Sequence, residues 1–278
     1  MIDYHIHTYH SIDAEGTIKD YCDRAVRLQL DEICITNHCE LDPVRDDSWI
    51  RFDSDKQPMT REGLKRLENE IIETKEVYKN SGLNVKFGLE VGYYDGIESR
   101  LQEIIHDVDF DFILGSIHCL NHVCIDSSRE HALYFSHHTV SGLLENYFIA
   151  IEKLIKSKLF DAIGHIDVYK KYGLEFYGDQ IQNPSQEALQ KVFKLMSEYD
   201  IALEINTAGL RHINEFYPSP TIMKCAREQG LERITIGSDC HKVADLGKGI
   251  LEATHYAKSF GFNAVYGFDK RKPIEIRI

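Results

Sequence analysis

Short apolar runs alternate with helical patterns along almost the whole chain, and most of those runs end on side chains that bind metals. The runs are Ile2–Ile6, Glu32–Thr36, Asn84–Leu89, Phe110–Ser116, Asp161–Gly164, Ile201–Ile205 and Arg233–Ile236, with a further short strand expected at Ala264–Tyr266. Helical patterns fall between them, near Thr17–Leu30, Arg61–Asn80, Ile97–Asp107, Val140–Lys156, Gln186–Tyr199, Pro220–Gln229 and Ala244–Phe260. In the second of these, Leu64, Leu67, Ile71, Ile72 and Val77 recur close to the helical period. Strands that alternate with helices build a parallel sheet, and seven or eight such units predict a closed β/α barrel. An open doubly wound sheet is the competing arrangement, but no glycine-rich first turn supports it. The polar stretch Leu41–Thr60, with the lone Trp49, is expected to be a long loop over one end of the barrel.

The strand ends carry the chemistry. His5 and His7 close the first run, His38 follows the second, and Glu90 and His118 end the next two. His165 and Asp167, then Glu204 and Asn206, then Asp239 and His241 end the last three. A parallel barrel brings all these ends to one rim. His5 and His7, like Asp239 and His241, are two residues apart, so in extended chain each pair points to the same side. Ile6 and Cys240, between them, are expected to turn into the packing. A single strand-end histidine is ordinary, but crowding this many histidines and acids at one rim is expensive without a cation. Imidazole and carboxylate without thiolate suit Zn, Mn or Fe, and there are more ligands than one tetrahedral ion uses. Two or three divalent ions joined by a carboxylate are expected. Such a cluster acidifies a bridging water and clamps both oxygens of a phosphoryl displacement.

Composition narrows the classes. The formal net charge of −13 argues against nucleic acid and anionic membranes as partners. No basic-then-apolar leader and no long apolar run is visible, so a cytoplasmic chain of one domain over residues 1–278 is expected. Cys22, Cys34, Cys39, Cys119, Cys124, Cys225 and Cys240 contain no C-x-x-C pair and are expected to be buried free thiols.

Seven motifs in order resemble the polymerase and histidinol phosphatase superfamily of metal-dependent phosphoesterases. They are Asp3-Tyr4-His5-Ile6-His7-Thr8 with Ser11 and Asp13, Thr36-Asn37-His38, Gly88-Leu89-Glu90, Gly115-Ser116-Ile117-His118, Gly164-His165-Ile166-Asp167, Glu204-Ile205-Asn206 and Gly237-Ser238-Asp239-Cys240-His241. Within it the chain looks most like the stand-alone histidinol-phosphate phosphatases, through Leu159–Asp167 and Leu203–Arg211. The resemblance implies a distorted barrel of seven strands and a site for up to three metals. It casts His5, His7, Glu90 and Asp239 as ligands of the first metal. Glu90 would bridge to a second held by His118 and His165, and Asp13, His38 and His241 would hold the third. It casts Glu90, Asp239 and His241 as catalytic and implies hydrolysis of L-histidinol phosphate, in histidine biosynthesis, to L-histidinol and phosphate. Arg211 is expected to grip phosphate through its planar fork and Asn206 to orient ligand or substrate, with Lys170, Lys171 and Arg129 as weaker phosphate candidates. His122, His137, His138 and His212 are expected to be solvated loop residues.

The competing readings are a related phosphoesterase acting on a nucleotide or phosphotyrosine, a barrel amidohydrolase, and a non-catalytic metal-binding protein. The amidohydrolase would want a strand-end lysine, and none is present. An exonuclease is disfavoured by the acidic charge. The expected partner is therefore a small phosphate monoester, and nothing in the sequence speaks to oligomeric state.

Overall fold

The structure, a computed structural model, describes all 278 residues. Seven parallel strands lie side by side in chain order: β1 (Ile2–Ile6), β2 (Glu32–Ile35), β3 (Asn84–Gly92), β4 (Phe112–Ser116), β5 (Ala162–Ile163), β6 (Ala202–Asn206) and β7 (Ile234–Gly237). β1 and β7 meet through a bridge between Ile6 and Cys240, where the His7 N–H donates to the Cys240 carbonyl at 3.0 Å. The sheet is thus a nearly closed distorted barrel. Buried Asp3 stitches the same seam, accepting the Ser238 N–H at 2.8 Å and the Gly247 N–H at 3.1 Å. β5 is only two residues long, so the barrel is thinnest beside His165.

The strands are buried almost throughout because helices cover their outer face. The main crossovers are α1 (Ile18–Arg27), α2 (Arg61–Tyr78), α3 (Glu98–Ile105), α4 (Val140–Ser157), α5 (Gln186–Tyr199) and α6 (Pro220–Glu228), and α7 (Ile250–Ser259) follows the last strand. Their ends follow local chemistry. Thr17 and Asp20 form a capping box at α1, and Thr60, Thr139 and Ser185 accept N–H groups at the starts of α2, α4 and α5. No helix is long and apolar enough to cross a membrane.

Four expectations give way. The segment 41–60 holds a β-hairpin, Trp49–Phe52 against Asp55–Pro58, whose Ile50 and Phe52 are buried while the alternating Trp49 and Arg51 are half-buried. The expected strand at Ala264–Tyr266 does not join the barrel. It extends to Asp269 and pairs antiparallel with Lys272–Arg277 as a terminal hairpin. The last helix starts at Ile250 rather than Ala244, because Gly247 and Gly249 take left-handed backbone at φ +75° and +80° and break the run. Finally, Cys119 and Cys124 are joined as a disulfide, whereas the other five cysteines are free and buried. The Asn121-His122 turn, left-handed at both residues, sets the pair directly opposite each other in a short hairpin.

Candidate metal centre

Strand direction brings the expected donors together at the C-terminal rim. His5 lies in β1 and His7 just past it, both fully buried with ring centroids 4.9 Å apart. Ile6 and Cys240, also fully buried, turn the other way into the core. Glu90, near the end of β3, stands at the centre. Its Oε1 lies 3.3 Å from His5 Nε2, 3.2 Å from His118 Nε2 and 3.0 Å from His165 Nε2. Its Oε2 lies 2.8 Å from His38 Nδ1 and 3.4 Å from His7 Nε2. Asp239 Oδ1 lies 3.5 Å from both His7 Nε2 and His241 Nδ1, and 3.7 Å from His5 Nε2. Asp13, the most exposed of the set, reaches the outer edge at 3.3 Å from His241 Nε2 and 3.6 Å from His38 Nε2.

Carboxylates behind the imidazoles aim them. Glu204 Oε1 is 2.6 Å from His5 Nδ1, and Glu40 Oε1 is 2.7 Å from His118 Nδ1. Each leaves the Nε2 of its histidine facing inward, the arrangement by which a carboxylate fixes the tautomer of a metal-binding histidine. The other Glu204 oxygen accepts the His165 N–H at 2.8 Å. Ser11 and Asn37 brace the loop after β1. Asn37 Oδ1 accepts the Thr8 N–H at 2.8 Å and the Ser11 hydroxyl at 3.1 Å, and Ser11 Oγ accepts the His38 N–H at 3.0 Å. Gly237 is required by close approach: a Cβ there would sit 2.3 Å from the Cβ of His5. His165 and Asp239 hold positive φ, +22° and +50°, a strained setting for non-glycine residues that recurs at functional sites.

The buried donors fit a cation better than one another. His5 Nε2, His7 Nε2, His38 Nδ1 and Glu90 Oε2 all lack a hydrogen-bond partner although they are sealed from solvent. His38 Nδ1 and Glu90 Oε2 are close, but their alignment is not that of a hydrogen bond. Such orphans demand an explanation, and a bound ion is one. Four overlapping sets of donors are spaced to share an ion: His5, His7 and Glu90; Glu90, His118 and His165; His7, His38 and His241; and His38, Glu40 and His118. The electrostatics agree. Burial opposes charge on Glu90, yet His5, His118 and His38 hold its carboxyl well below the usual range. Burial likewise opposes charge on Asp239, and His5 and His7 pull it down. Burial holds His7 well below its usual value, and the like charge of His38 and His241 lowers it further. On His5 the pull of burial is outweighed by Glu204, Glu90 and Asp239, which raise it well above its usual value. The carboxylates thus stay charged, and the negative charge that raises His5 would equally favour a divalent cation in the place of its proton.

Above the centre lies a cavity of about 790 Å³, bordered by Asp13, His38, Glu90, His118, His165, Asp239 and His241 at its floor. Arg211 borders it, donating from Nη2 to the Ser238 and Asp239 carbonyls at 2.8 and 3.0 Å. Lys171, Arg129 and His212 border it too; His212 is exposed, as expected, but ends the short helix Ala208–His212 rather than lying in a loop. Two expected residues do not face it. Asn206 is fully buried and its amide is spent on Glu204 and Asp239, at 3.1 and 3.2 Å, so it orients donors rather than meeting substrate. Lys170 is buried against Asp167 at 2.9 Å. Glu40 is the functional residue that the strand-end reading misses, although its place two residues beyond His38 is the same i, i+2 signal that pairs His5 with His7.

A nearly closed parallel barrel with imidazoles and carboxylates converging at its C-terminal rim defines a metal-dependent barrel enzyme. The PHP domain matches residues 3–208, and the chain belongs to that family. Asp239 and His241 lie beyond the matched stretch. The chain is 28% identical to a "Probable histidinol-phosphatase" of Deinococcus radiodurans over 95% of both chains. It is 28% identical to one of Clostridium acetobutylicum over 98% of both. Its fold superposes on the crystal structure of a histidinol phosphate phosphatase from Lactococcus lactis complexed with zinc, L-histidinol and phosphate. The TM-score is 0.79 at 22% identity, covering 98% of each chain.

Proposed function

We propose that the chain, a single barrel spanning residues 1–278, is a cytoplasmic phosphomonoesterase that hydrolyses L-histidinol phosphate to L-histidinol and phosphate. The observation that carries the chemistry is Glu90, one carboxylate within 3.4 Å of ring nitrogens of His5, His7, His118 and His165. The substrate rests on the relatives, which are named histidinol-phosphatases over nearly their full length. Zinc is the first candidate metal, since the Lactococcus lactis protein was crystallised with it. Manganese and iron suit the same donors.

His5, His7, Glu90 and Asp239 would hold one ion, Glu90, His118 and His165 a second, and Asp13, His38 and His241 a third. Bound there, the ions supply Lewis-acid charge to phosphoryl oxygens and a nucleophile at neutral pH. Glu90 and Asp239 keep the donors at fixed spacing, while Glu204 and Glu40 lock the rings that face inward. Arg211, anchored through Nη2, leaves its remaining N–H groups for a phosphate oxygen at the cavity wall. His241 lies between Asp13 and Asp239, its Nε2 3.3 Å from one and its Nδ1 3.5 Å from the other. The partner is thus a small phosphate ester rather than nucleic acid. Phosphate release should be measured from L-histidinol phosphate, a nucleotide and phosphotyrosine, with and without Zn, Mn or Fe. Preference for histidinol phosphate that depends on added metal supports the reading. Equal rates on all three substrates, or turnover untouched by metal removal, ends it.

A further inference from the structure

Several tyrosine hydroxyls in this protein are used internally: Tyr4 donates to Glu32, Tyr21 to the Glu15 carbonyl, Tyr78 to Asp23, Tyr177 to the Phe135 carbonyl and Tyr256 to the Pro218 carbonyl. Tyr217 differs. It is 1% exposed and its hydroxyl has no partner, yet the residue borders the cavity over the metal centre. The unpartnered hydroxyls of Tyr147 and Tyr169 belong to residues that do not border it.

The placement is built rather than incidental. Tyr217 is paired backbone to backbone with Asn206 at the end of β6, donating its N–H at 3.1 Å and accepting the Asn206 N–H at 2.6 Å. Asn206 in turn donates to Asp239. The tyrosine is therefore tied in register to the donor set. The charges that reach its hydroxyl are those of Asp167, Asp239 and Asp126, and the last two border the cavity. Burial first, and then these carboxylates, push the phenol well above its usual range, so it stays protonated and can donate. The same side of the cavity carries Arg211, Lys171 and His212, whose ring lies 6.5 Å from that of Tyr217. Partial burial of the His212 ring, then the positive charges of Lys171 and Arg211, lower it to about 4. Arg211, Lys171, His212 and Tyr217 thus border one cavity together with the donor carboxylates.

We propose that Tyr217 is a substrate-binding residue whose hydroxyl donates to a non-bridging oxygen of the phosphate group, completing with Arg211 and Lys171 a seat for that group. The proposal rests on the phosphatase reading for the ester, but it can be decided with inorganic phosphate alone. Tyr217→Phe removes one oxygen that no protein group uses, so the fold should keep its thermal midpoint. In metal-loaded protein, calorimetric binding of inorganic phosphate should weaken about 10- to 100-fold, the range for losing one hydrogen bond to a charged group. The kcat/KM for L-histidinol phosphate should fall by a similar factor. Tyr217→Leu, which also lacks a donor, should reproduce the phosphate loss and serves if the first variant does not fold. Phosphate affinity within twofold of the parent in a folded variant overturns the proposal, even if kcat changes. If the parent binds phosphate but does not hydrolyse histidinol phosphate, the substrate reading fails while the Tyr217 measurement still decides the contact.

Discussion

Gly92 offers a test of the carboxylates behind the metal centre without touching any donor. It ends β3, two residues beyond Glu90, and its backbone is not left-handed, so alanine is conformationally acceptable there. An alanine Cβ would lie 2.0 Å from Glu40 Oε2 and 2.6 Å from both its Cδ and Oε1. Ordinary contact needs about 3.4 Å, so the carboxylate must retreat by about 1.4 Å. Its 2.7 Å bond to His118 Nδ1 cannot survive such a shift. The carboxylate is the free end of a flexible side chain, so Gly92→Ala should cost under about 1 kcal/mol of stability. Function should suffer more. Losing the partner that orients a metal-binding histidine typically lowers metal affinity or activity about 10- to 100-fold. The assay is kcat/KM together with metal affinity from competition with a chelator, in the parent, G92A, E40A and the double variant. G92A should cost less than about threefold in the E40A background, because the damaged bond is already gone. Full activity in G92A, or an equal penalty with and without Glu40, would refute the reasoning.

Other outcomes follow from the same geometry. His118→Ala and Asp239→Ala should each lower phosphate release by about a thousandfold or more while circular dichroism stays native. Full turnover in a metal-depleted double variant would contradict the proposed chemistry. Metal affinity should fall as pH falls. His5, pulled down by burial but raised further by Glu204, Glu90 and Asp239, keeps competing for its proton above its ordinary value, so the dependence should extend above pH 6.5. Chelator competition across pH 6 to about 9 measures it, and a flat profile there would count against the assigned donors. In the metal-free chain the sign for stability follows the same group: the His5 contribution is full below its unfolded value near 6.5 and is lost as pH rises through the higher folded value. Lys170→Ala should destabilise the protein by about 3–5 kcal/mol in urea unfolding, because it strands the fully buried Asp167 carboxylate.

The strand-end donors were legible in the sequence because one periodic rule governs them, whereas Asp13, in the loop after β1, came only from the motif resemblance. Once a run is a parallel strand, its last residues share a rim, and His5 with His7 follows from alternation alone. The helix Gln186–Tyr199 could be bounded for a similar local reason, since Ser185 caps its start and Asp200 ends it in left-handed backbone. What escaped was non-local. Whether Asn206 faces substrate or its neighbours depends on where Glu204 and Asp239 spend their oxygens, which no spacing encodes. Lys170 reads as a phosphate candidate until the fold buries it beside Asp167. The 41–60 hairpin and the Cys119–Cys124 pair rest on short turns whose left-handed residues, Asp53 and Asn121-His122, carry weak signals in the chain. Tyr217 stands in a connection with no strong pattern, and its meaning comes only from its register with Asn206.

The hydroxyl of Tyr4 receives the N–H of Phe268 at 2.7 Å, across 264 positions of chain. Together with the Asp3 bonds to Ser238 and Gly247, this closes the barrel through contacts between residues more than 230 positions apart. Contacts so distant in sequence are the slowest to form. His5 and His7, on the strand that these contacts hold, are therefore among the last donors to be locked in place as the chain folds.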